Sequence, residues 1–260
     1  MADNNIAGRL ALITGASSGI GASCAHALAS RGCHLALTYS KNLAGMQDIV
    51  ASIRSSLAST SSAISSSGIP QLGSESESKE LRISVHRVDV GIVEDMSRMF
   101  DEIQQEHGGR VVDILVSNAG DIPLSEFEYT VNVNLRASFV LVQGVVAGMK
   151  AQRWGRIIFM SSIAAQGGGI NGCPSKGGLT GMMRNLSTKL ASLNISVNDI
   201  APALIGETGM IPTADIIPGG TSSIPMGRLG VPSEVANVVL MLATTGFMTG
   251  QSLLISGGLK

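Results

Sequence analysis

The feature of this sequence that most constrains its fold is a regular alternation of short apolar runs with longer amphipathic segments. RLALITG at 9–15 and GRIIFMSS at 155–162 are apolar runs of strand length. GIGASCAHALASRG at 19–32 and SEVANVVLMLAT at 233–244 carry apolar residues at helical spacing. Strands that alternate with helices form βαβ units around a parallel sheet, and strands that are apolar throughout are buried on both faces. The sequence therefore predicts one doubly wound α/β domain of three layers over residues 1–260.

The charge balance argues against a polyanionic partner. The formal net charge is −1, and charged residues make up 14% of the chain. Neither value gives an electrostatic reason to bind nucleic acid or an anionic membrane surface. The N-terminal residues lack a basic segment followed by a signal-peptide core, and we find no run of about 18 apolar residues. We expect a cytoplasmic protein whose ligand is a small molecule.

The cysteines and histidines do not form a metal pattern. Cys24, Cys33 and Cys173 are odd in number and lack the spacing of metal ligands or of a disulfide framework, as expected in a reducing compartment. The four histidines fall on predicted helices and strands, where we expect structural or surface roles; they are His26, His34, His86 and His107. No metal site is predicted.

One segment interrupts the alternation. Residues 55–80, SSLASTSSAISSSGIPQLGSESESKE, are rich in Ser and of low complexity, and they follow a helix predicted at 42–59. Such a composition buries too little apolar area to offset the entropy of ordering the chain. The sequence predicts a mobile surface loop inserted before the third strand.

A glycine-rich turn follows the first strand and opens the first helix. In ITGASSGIG at 13–21, glycines allow a tight turn and a close approach of the backbone to a pyrophosphate, which the positive end of the helix dipole would stabilise. The position at the first strand–helix junction makes this a Rossmann-type dinucleotide site rather than a chance string. The predicted contacts are Gly15, Ser17, Ser18, Gly19, Ile20 and Gly21.

The end of the second strand indicates which dinucleotide is bound. NAD-binding domains usually place an acidic residue there to accept a bond from the ribose, whereas this strand ends LTYSKN at 37–42. Tyr39, Ser40 and Lys41 offer hydroxyls, a ring and a cation instead. A lysine favours a 2′-phosphate, so we predict NADP(H) as the cofactor.

At this point the chain resembles the short-chain dehydrogenase/reductase family over nearly its whole length. The resemblance is closest to NADPH-dependent 3-oxoacyl reductases and their relatives in secondary metabolism. The motifs that carry it are TGASSGIG at 14–21, VDV at 88–90, NAG at 118–120, VNVNLRASF at 131–139, GRIIFMSSIAA at 155–165 and GRLGVPSEVANVVLML at 227–242.

The resemblance implies functional residues. Asn134, Ser162 and Lys176 match the catalytic Asn, Ser and Lys of the family, and Lys176 also matches the lysine that binds the nicotinamide ribose. The further cofactor contacts that it implies are Asp89, Val90, Asn118, Ala119, Gly120, Pro202, Ile205 and Thr208. It also implies a homo-oligomer, a dimer or tetramer, assembled through the helices predicted at 134–152 and 175–194.

The match fails at the family's catalytic acid. Relatives carry a Tyr four residues before the Lys, and Gly172 occupies that position here, in INGCPSKGGLTGMM at 170–183. The interval from Ser162 to Lys176 is also shorter than usual, as if a short stretch that includes the Tyr had been removed. Because Pro174 fits the first position of a helix, we expect the helix to begin there, with Lys176 in its first turn.

Several chemistries remain open without the Tyr. The proton for a carbonyl oxygen would come from water held by Lys176 and Asn134, from Ser162, from Lys176 itself or from Cys173. An iminium substrate needs no such proton. A non-redox cyclase or isomerase, a silent binding subunit and an artefact of gene prediction are further alternatives. The segment 206–225 is rich in Ile, Pro and Gly, so we expect it to form a lid over a small-to-medium apolar substrate.

Overall fold

Seven parallel strands form one sheet in the order β3-β2-β1-β4-β5-β6-β7. The computed structural model describes residues 4–65, 81–119, 127–166 and 174–259. Strands β1, β4 and β5 are buried along their whole length, as a sheet covered on both faces requires, whereas the edge strands β3 and β7 are partly exposed. Their bounds are β1 Leu10–Ile13, β2 His34–Tyr39, β3 Ile83–Arg87, β4 Ile114–Ser117, β5 Gly155–Met160, β6 Ile195–Pro202 and β7 Ser252–Ile255.

Helices cover both faces of this sheet. Helices α1, α2 and α7 pack on one face through buried side chains such as Leu28, Met46 and Val239. Helices α3, α5 and α6 pack on the other through side chains such as Met99 and Leu141. The bounds are α1 Gly19–Ala29, α2 Leu43–Ser65, α3 Val93–Glu106, α4 Phe127–Val131, α5 Ala137–Gln152, α6 Pro174–Leu190 and α7 Pro232–Thr244. The three-layer, doubly wound fold predicted from the alternating pattern is confirmed.

The position of β1 in the sheet determines where a ligand can bind. It pairs with β2 on one side and with β4 on the other, so the strand order reverses at this point. In open parallel sheets, the crevice at the carboxyl ends of the strands beside such a reversal is the ligand site. The glycine-rich turn, which follows β1, lies at that crevice.

Two predicted element boundaries were wrong. Helix α2 continues to Ser65, so residues 55–65 of the predicted loop are helical, and the rest of it lies outside the described residues. The hydroxyls of Ser56 and Ser59 donate to carbonyls four residues earlier, which satisfies these side chains inside a helix. The long helix predicted from Asn134 begins instead at Phe127 and passes through a π-helical turn, Asn132–Arg136, before α5.

One helical stretch among the described residues is long and apolar enough to span a bilayer, by length and composition alone. It is Glu128–Gln152, and 39% of its most apolar window is buried within the protein. Its inward side chains, Leu141, Val145 and Met149 among them, belong to the core on one face of the sheet. Core helices of globular domains share these properties.

A carboxyl group is buried inside the sheet at Asp199 in β6. One of its oxygens accepts a hydrogen bond from the Ser252 hydroxyl, and the other has no partner among the described residues. Burial raises the pKa of the Asp199 carboxyl above its ordinary value, with the Ser252 bond acting in the opposite direction. A group whose pKa is raised by folding stabilises the folded state most fully below its unfolded pKa. That contribution is lost as the pH rises through the folded pKa.

We therefore predict that Asp199→Asn raises the melting temperature at pH 8 and does so less at pH 4. The neutral amide keeps the shape and an acceptor for Ser252 but removes the buried charge, whose cost is of the order of 1 kcal/mol per pKa unit. Thermal unfolding across this pH range is the measurement, with the exposed Asp48→Asn as the matched control. A variant less stable than the wild type at pH 8 would contradict the prediction.

Candidate active site

The turn after β1 forms a cradle of bare backbone at the start of α1. Gly15 and Gly19 have φ angles of +67° and +56°, a region that other residues rarely adopt. A Cβ at Gly21 would lie 2.2 Å from the Gly15 carbonyl oxygen, so only glycine allows the first turn of α1 to pack on the end of β1. Ser18, the N-cap residue, makes no side-chain capping bond. The first N–H groups of α1 are therefore available to an anion.

Two neighbouring strands hold the cradle in place. The Asn118 side chain, just after β4, donates to the carbonyls of Thr14 and Gly15 at 2.9 and 3.2 Å. The Thr14 hydroxyl accepts from the backbone of Asn118 and Ala119, both at 3.0 Å. From β2, the Thr38 carbonyl accepts a bond from Ala16 at 2.8 Å. The Asn118 side chain thus fixes the turn, and Thr38 is a supporting residue that the sequence analysis missed.

The end of β2 places a cationic edge beside the cradle. A Cβ at Gly45 would lie 2.7 Å from the Ser17 carbonyl oxygen, so the first turn of α2 packs directly on the cradle. This brings exposed Lys41, which precedes α2, next to the turn. In the sheet, Tyr39 is paired in register with Arg87 of β3. Arg87 is a second cation at this edge that no sequence motif indicated.

Asp89, one of the cofactor contacts predicted after β3, makes hydrogen bonds within its own segment of the chain. The Asp89 carboxylate accepts from the backbone N–H of Gly91 at 2.9 Å, and the Asp89 N–H donates to the Asp95 carboxylate at 3.0 Å. That backbone bond, followed by the Arg98 guanidinium, lowers the pKa of Asp95. Val90 is buried. Asp89 therefore shapes the junction between β3 and α3 at the edge of the crevice.

The segment after β6 reaches the cradle from the other side. The Thr208 methyl group would be 3.3 Å from a Cβ at Gly19, which places the start of the predicted lid against the cradle. The Thr208 hydroxyl donates to the Ile205 carbonyl at 3.1 Å and accepts from the Ile211 N–H at 3.0 Å. Ile205 and Thr208, two of the cofactor contacts that the resemblance implies, are thus bonded to each other. Pro202 ends β6 just before them.

Asn134 lies in the π-helical turn rather than at a helix entrance. Such turns widen the helix and are frequent at functional sites. The Asn134 side chain is 1% exposed, and its amide donates to the Ser175 hydroxyl of α6 at 3.2 Å. Its Oδ1 atom has no hydrogen-bond partner among the described residues. A buried carbonyl oxygen of this kind is suited to accept a bond from a water molecule, an ammonium group or a ligand.

Helix α6 connects the regions of Lys176 and Ser162 to the turn that holds Asn134. The described part of this helix starts at Pro174, and Lys176 is its third residue. Lys176 is 8% exposed, and its ammonium group donates to the Met160 carbonyl at the end of β5, at 2.8 Å. The Ser162 hydroxyl accepts from the Ala164 N–H at 3.2 Å, which leaves its hydrogen to donate elsewhere. Helix α6 contacts both the π-helical turn and the short helix after Ser162.

Some predicted residues lie outside the described part of the chain. They are Gly120, Gly172 and Cys173. Cys24 and Cys33 are buried, and burial raises the pKa of each thiol to about 12, so they behave as apolar core side chains. Within the described ranges, no three His, Cys, Asp or Glu residues are grouped as a metal site.

An apolar cavity of about 270 Å³ lies behind Ile205, on the β7 side of the lid. Its rim carries an ion pair in which both guanidinium nitrogens of Arg228 donate to the Glu234 carboxylate, at 3.0 and 2.7 Å. Asn134, Ser162 and Lys176 do not line this cavity.

Comparisons with known proteins agree with this geometry. The family described as "short chain dehydrogenase" matches residues 9–65, and the one described as "Enoyl-(Acyl carrier protein) reductase" matches residues 71–260. The chain belongs to the short-chain dehydrogenase family. Members of this family keep the glycine-rich cradle as a cofactor site, and the resemblance stated from the motifs is confirmed.

Three similar proteins span nearly the whole chain. The 3-oxoacyl-[acyl-carrier-protein] reductase of Aquifex aeolicus is 30% identical, covering 97% of each chain. The hydroxynaphthalene reductase-like protein Arp2 of Metarhizium anisopliae is 30% identical, covering 98% of this chain and 96% of its own. A blue fluorescent protein from a metagenomic library, solved in complex with NADPH, superposes with a TM-score of 0.79 at 28% identity, covering 98% and 99% of the two chains. Two of these three relatives are named as reductases.

The packing of Gly21 on Gly15 gives a direct test of the cradle. Gly21→Ala is predicted to destabilise the protein by about 1–3 kcal/mol, because the new methyl group forces the helix away from a backbone oxygen. Gly181→Ala is the control, since its Cβ would meet nothing within 4 Å and alanine favours a helix. Urea unfolding compares the two variants. Equal stability of both would refute the argument from packing.

Proposed function

We propose that this protein is an NADP(H)-dependent reductase of the short-chain family, acting on a small-to-medium apolar carbonyl or imine substrate with an atypical active site. The observation that carries the proposal is the uncapped first turn of α1 pressed against the end of β1. Gly15, Gly19 and Gly21 leave a backbone cradle that any side chain would fill. The residues present therefore fit the pyrophosphate of a dinucleotide.

The preference for NADP(H) rests on the edge formed by β2 and β3. The ends of these strands carry Lys41 and Arg87, and the residues directly after β2, Ser40 to Asn42, include no carboxylate that would repel a 2′-phosphate. A phosphate accepts charge-assisted hydrogen bonds from such groups, and Arg offers the two-pronged geometry that suits it. The similar fluorescent protein solved with NADPH supports the same choice.

When bound, the nicotinamide supplies hydride, and the residues of this chain bind and orient the substrate beside it. We assign Ser162 the contact with the substrate oxygen, because its hydroxyl hydrogen is available to donate. Lys176 is anchored at the Met160 carbonyl, where it can present further N–H groups to a ribose. Asn134 offers its buried Oδ1 to hold a water or an ammonium group. General acid catalysis of this kind increases the reaction rate by about 10²–10⁴-fold.

The missing Tyr sets the chemistry apart from that of ordinary relatives. Tyr39 belongs to the cofactor edge, and Tyr129 lies on α4, which contacts α6. No described Tyr precedes Lys176 in α6. We assign proton supply to a water held by Asn134 and Lys176, with Ser162 orienting the substrate. An iminium substrate, which already carries its proton, fits the same arrangement.

The lid supports an apolar substrate. Met210 and Ile216 are 62% and 54% exposed on a segment that starts against the cradle at Thr208. Exposed apolar side chains beside a cleft favour an apolar ligand. We further propose a cytoplasmic homo-oligomer with no nucleic-acid or membrane partner, in agreement with the low net charge.

Lys41→Gln tests the cofactor choice. We predict that NADPH binding weakens about tenfold or more while NADH binding stays unchanged, since one charge-assisted bond to the 2′-phosphate is lost. Fluorescence titration with both nucleotides measures this, and Arg87→Gln is expected to act in the same direction. Lys189→Gln, an exposed lysine near the end of α6, is the matched control. If Lys41→Gln lost affinity for NADPH and NADH equally, Lys41 would not be binding the 2′-phosphate.

NADPH oxidation with a panel of 3-oxoacyl thioesters, quinones and cyclic imines tests the reaction itself. We predict turnover that falls about 10²-fold or more in Lys176→Met, because the ammonium group is lost, and also falls in Ser162→Ala. Tyr129→Phe is expected to retain activity. Turnover of imines alone would favour the iminium route. NADPH binding without any turnover would favour a cyclase, an isomerase or a silent subunit.

A further inference from the structure

A polar cavity of about 420 Å³ lies at the end of the sheet opposite the cofactor crevice. It is bounded by the start of β2 at His34, the start of β3 at Ser84 and the residues just after α3 at His107. Because all seven strands are parallel, these positions are at the amino ends of the strands, whereas the glycine cradle is at the carboxyl ends. The cavity is therefore independent of the proposed reductase site.

A chain of hydrogen bonds ends at this cavity. Glu102 contacts His86 Nδ1 at 2.8 Å, and His86 Nε2 contacts the Ser84 hydroxyl at 2.8 Å. The same hydroxyl contacts His107 Nε2 at 2.9 Å. His107 is 1% exposed, and its Nδ1 atom has no hydrogen-bond partner among the described residues. Because buried polar atoms nearly always have a hydrogen-bond partner, this nitrogen indicates a binding site for a ligand.

The carboxylate of Glu102 determines which hydrogen His107 carries when both imidazoles are neutral. A carboxylate only accepts, so His86 Nδ1 holds the hydrogen and His86 Nε2 accepts from the Ser84 hydroxyl. The Ser84 oxygen then accepts from His107 Nε2–H. This leaves His107 Nδ1 with a lone pair that can accept a hydrogen bond. Burial, followed by nearby His34, His86 and arginine charges, lowers the pKa of His107 to about 4, which agrees with a neutral ring.

Cations dominate the rest of the lining. Three arginines contribute guanidinium groups, and a single carboxylate, that of Glu106, opposes them. The arginines are Arg54, Arg82 and Arg110. Within the part of the chain that the structure describes, none of the three forms an ion pair with a carboxylate. Unpaired guanidinium groups around one cavity favour an oxyanion.

We propose that this cavity is a second ligand site, which binds a phosphoryl group that keeps one protonated oxygen. The arginines bind the charged oxygens, and the P–OH group donates to the lone pair of His107 Nδ1. Inorganic phosphate and small phosphate monoesters share this chemistry. Sulfate has the same shape but no hydrogen to donate, so it leaves His107 unsatisfied.

The size of the cavity bears on the source of the phosphoryl group. A volume of about 420 Å³ is within the range of small-molecule pockets and exceeds what one phosphate ion fills. A monoester of a small polar alcohol therefore fits better than the free ion. Glycerol phosphate and inorganic phosphate are the two probes that separate these sources.

Calorimetric titration of the full-length protein at pH 7 tests the proposal. We expect inorganic phosphate and glycerol phosphate to bind, and sulfate to bind about tenfold more weakly, the effect of one lost hydrogen bond to a buried group. Arg82→Gln is expected to weaken phosphate binding by about tenfold or more. Nitrogen NMR of the His107 ring should show a shift of Nδ1 with phosphate and not with sulfate. Arg82 is exposed, so its replacement should leave the fold intact.

Two control variants separate this site from the cofactor cradle. Lys41→Gln, at the edge of the cradle, and Lys150→Gln, an exposed lysine at the end of α5, should both retain phosphate binding. Phosphate binding that is lost in Lys41→Gln and kept in Arg82→Gln would overturn the proposal. Equal affinity for sulfate and phosphate, or no change at His107 Nδ1, would overturn it as well.

Discussion

The contact on which the site depends is that of the Gly21 backbone against the Gly15 carbonyl, too close to admit even one methyl group. It presses the first turn of α1 onto the end of β1 and turns the free N–H groups of the helix toward the crevice. Asn118 and Thr38 fix the same turn from the two neighbouring strands. The start of α2 and the Thr208 methyl group pack on it from outside. The crevice is therefore assembled around one close approach of backbone to backbone.

The region around Asn134 and Lys176 is built differently, from side chains that form hydrogen bonds across separate elements. Asn134 in the π-helical turn donates a hydrogen bond to Ser175 of α6. Lys176, which follows Ser175, donates one to the Met160 carbonyl at the end of β5. This ties three elements together without a tyrosine. In the function that we propose, these groups position a substrate and a water molecule, and the proton comes from solvent or from the substrate rather than from a side chain.

Much of the fold and part of the site could be predicted from the sequence because the relevant signals are local. The alternation of strands and helices and the glycine spacing each depend on a few adjacent residues. Predictions of helix boundaries failed where the local sequence is compatible with more than one structure. The Ser-rich stretch continues as a helix to Ser65, and the helix before Asn134 begins at Phe127. Arg87 and Thr38 gave no signal, because only strand pairing brings them to the cofactor edge.

The sequence by itself determined the family, the parallel sheet and the position of the cradle, since glycine at a positive φ and apolar strand patterns have few alternative structures. Tertiary structure alone decided which polar groups are buried together. The contacts from Glu102 through His86 and Ser84 to His107 join β3 to α3 and its following turn, up to 23 positions apart in the chain. No local pattern encodes such a chain, because each bond depends on how a helix packs across the sheet. The same holds for the orphaned oxygen of Asn134, whose isolation depends on α6.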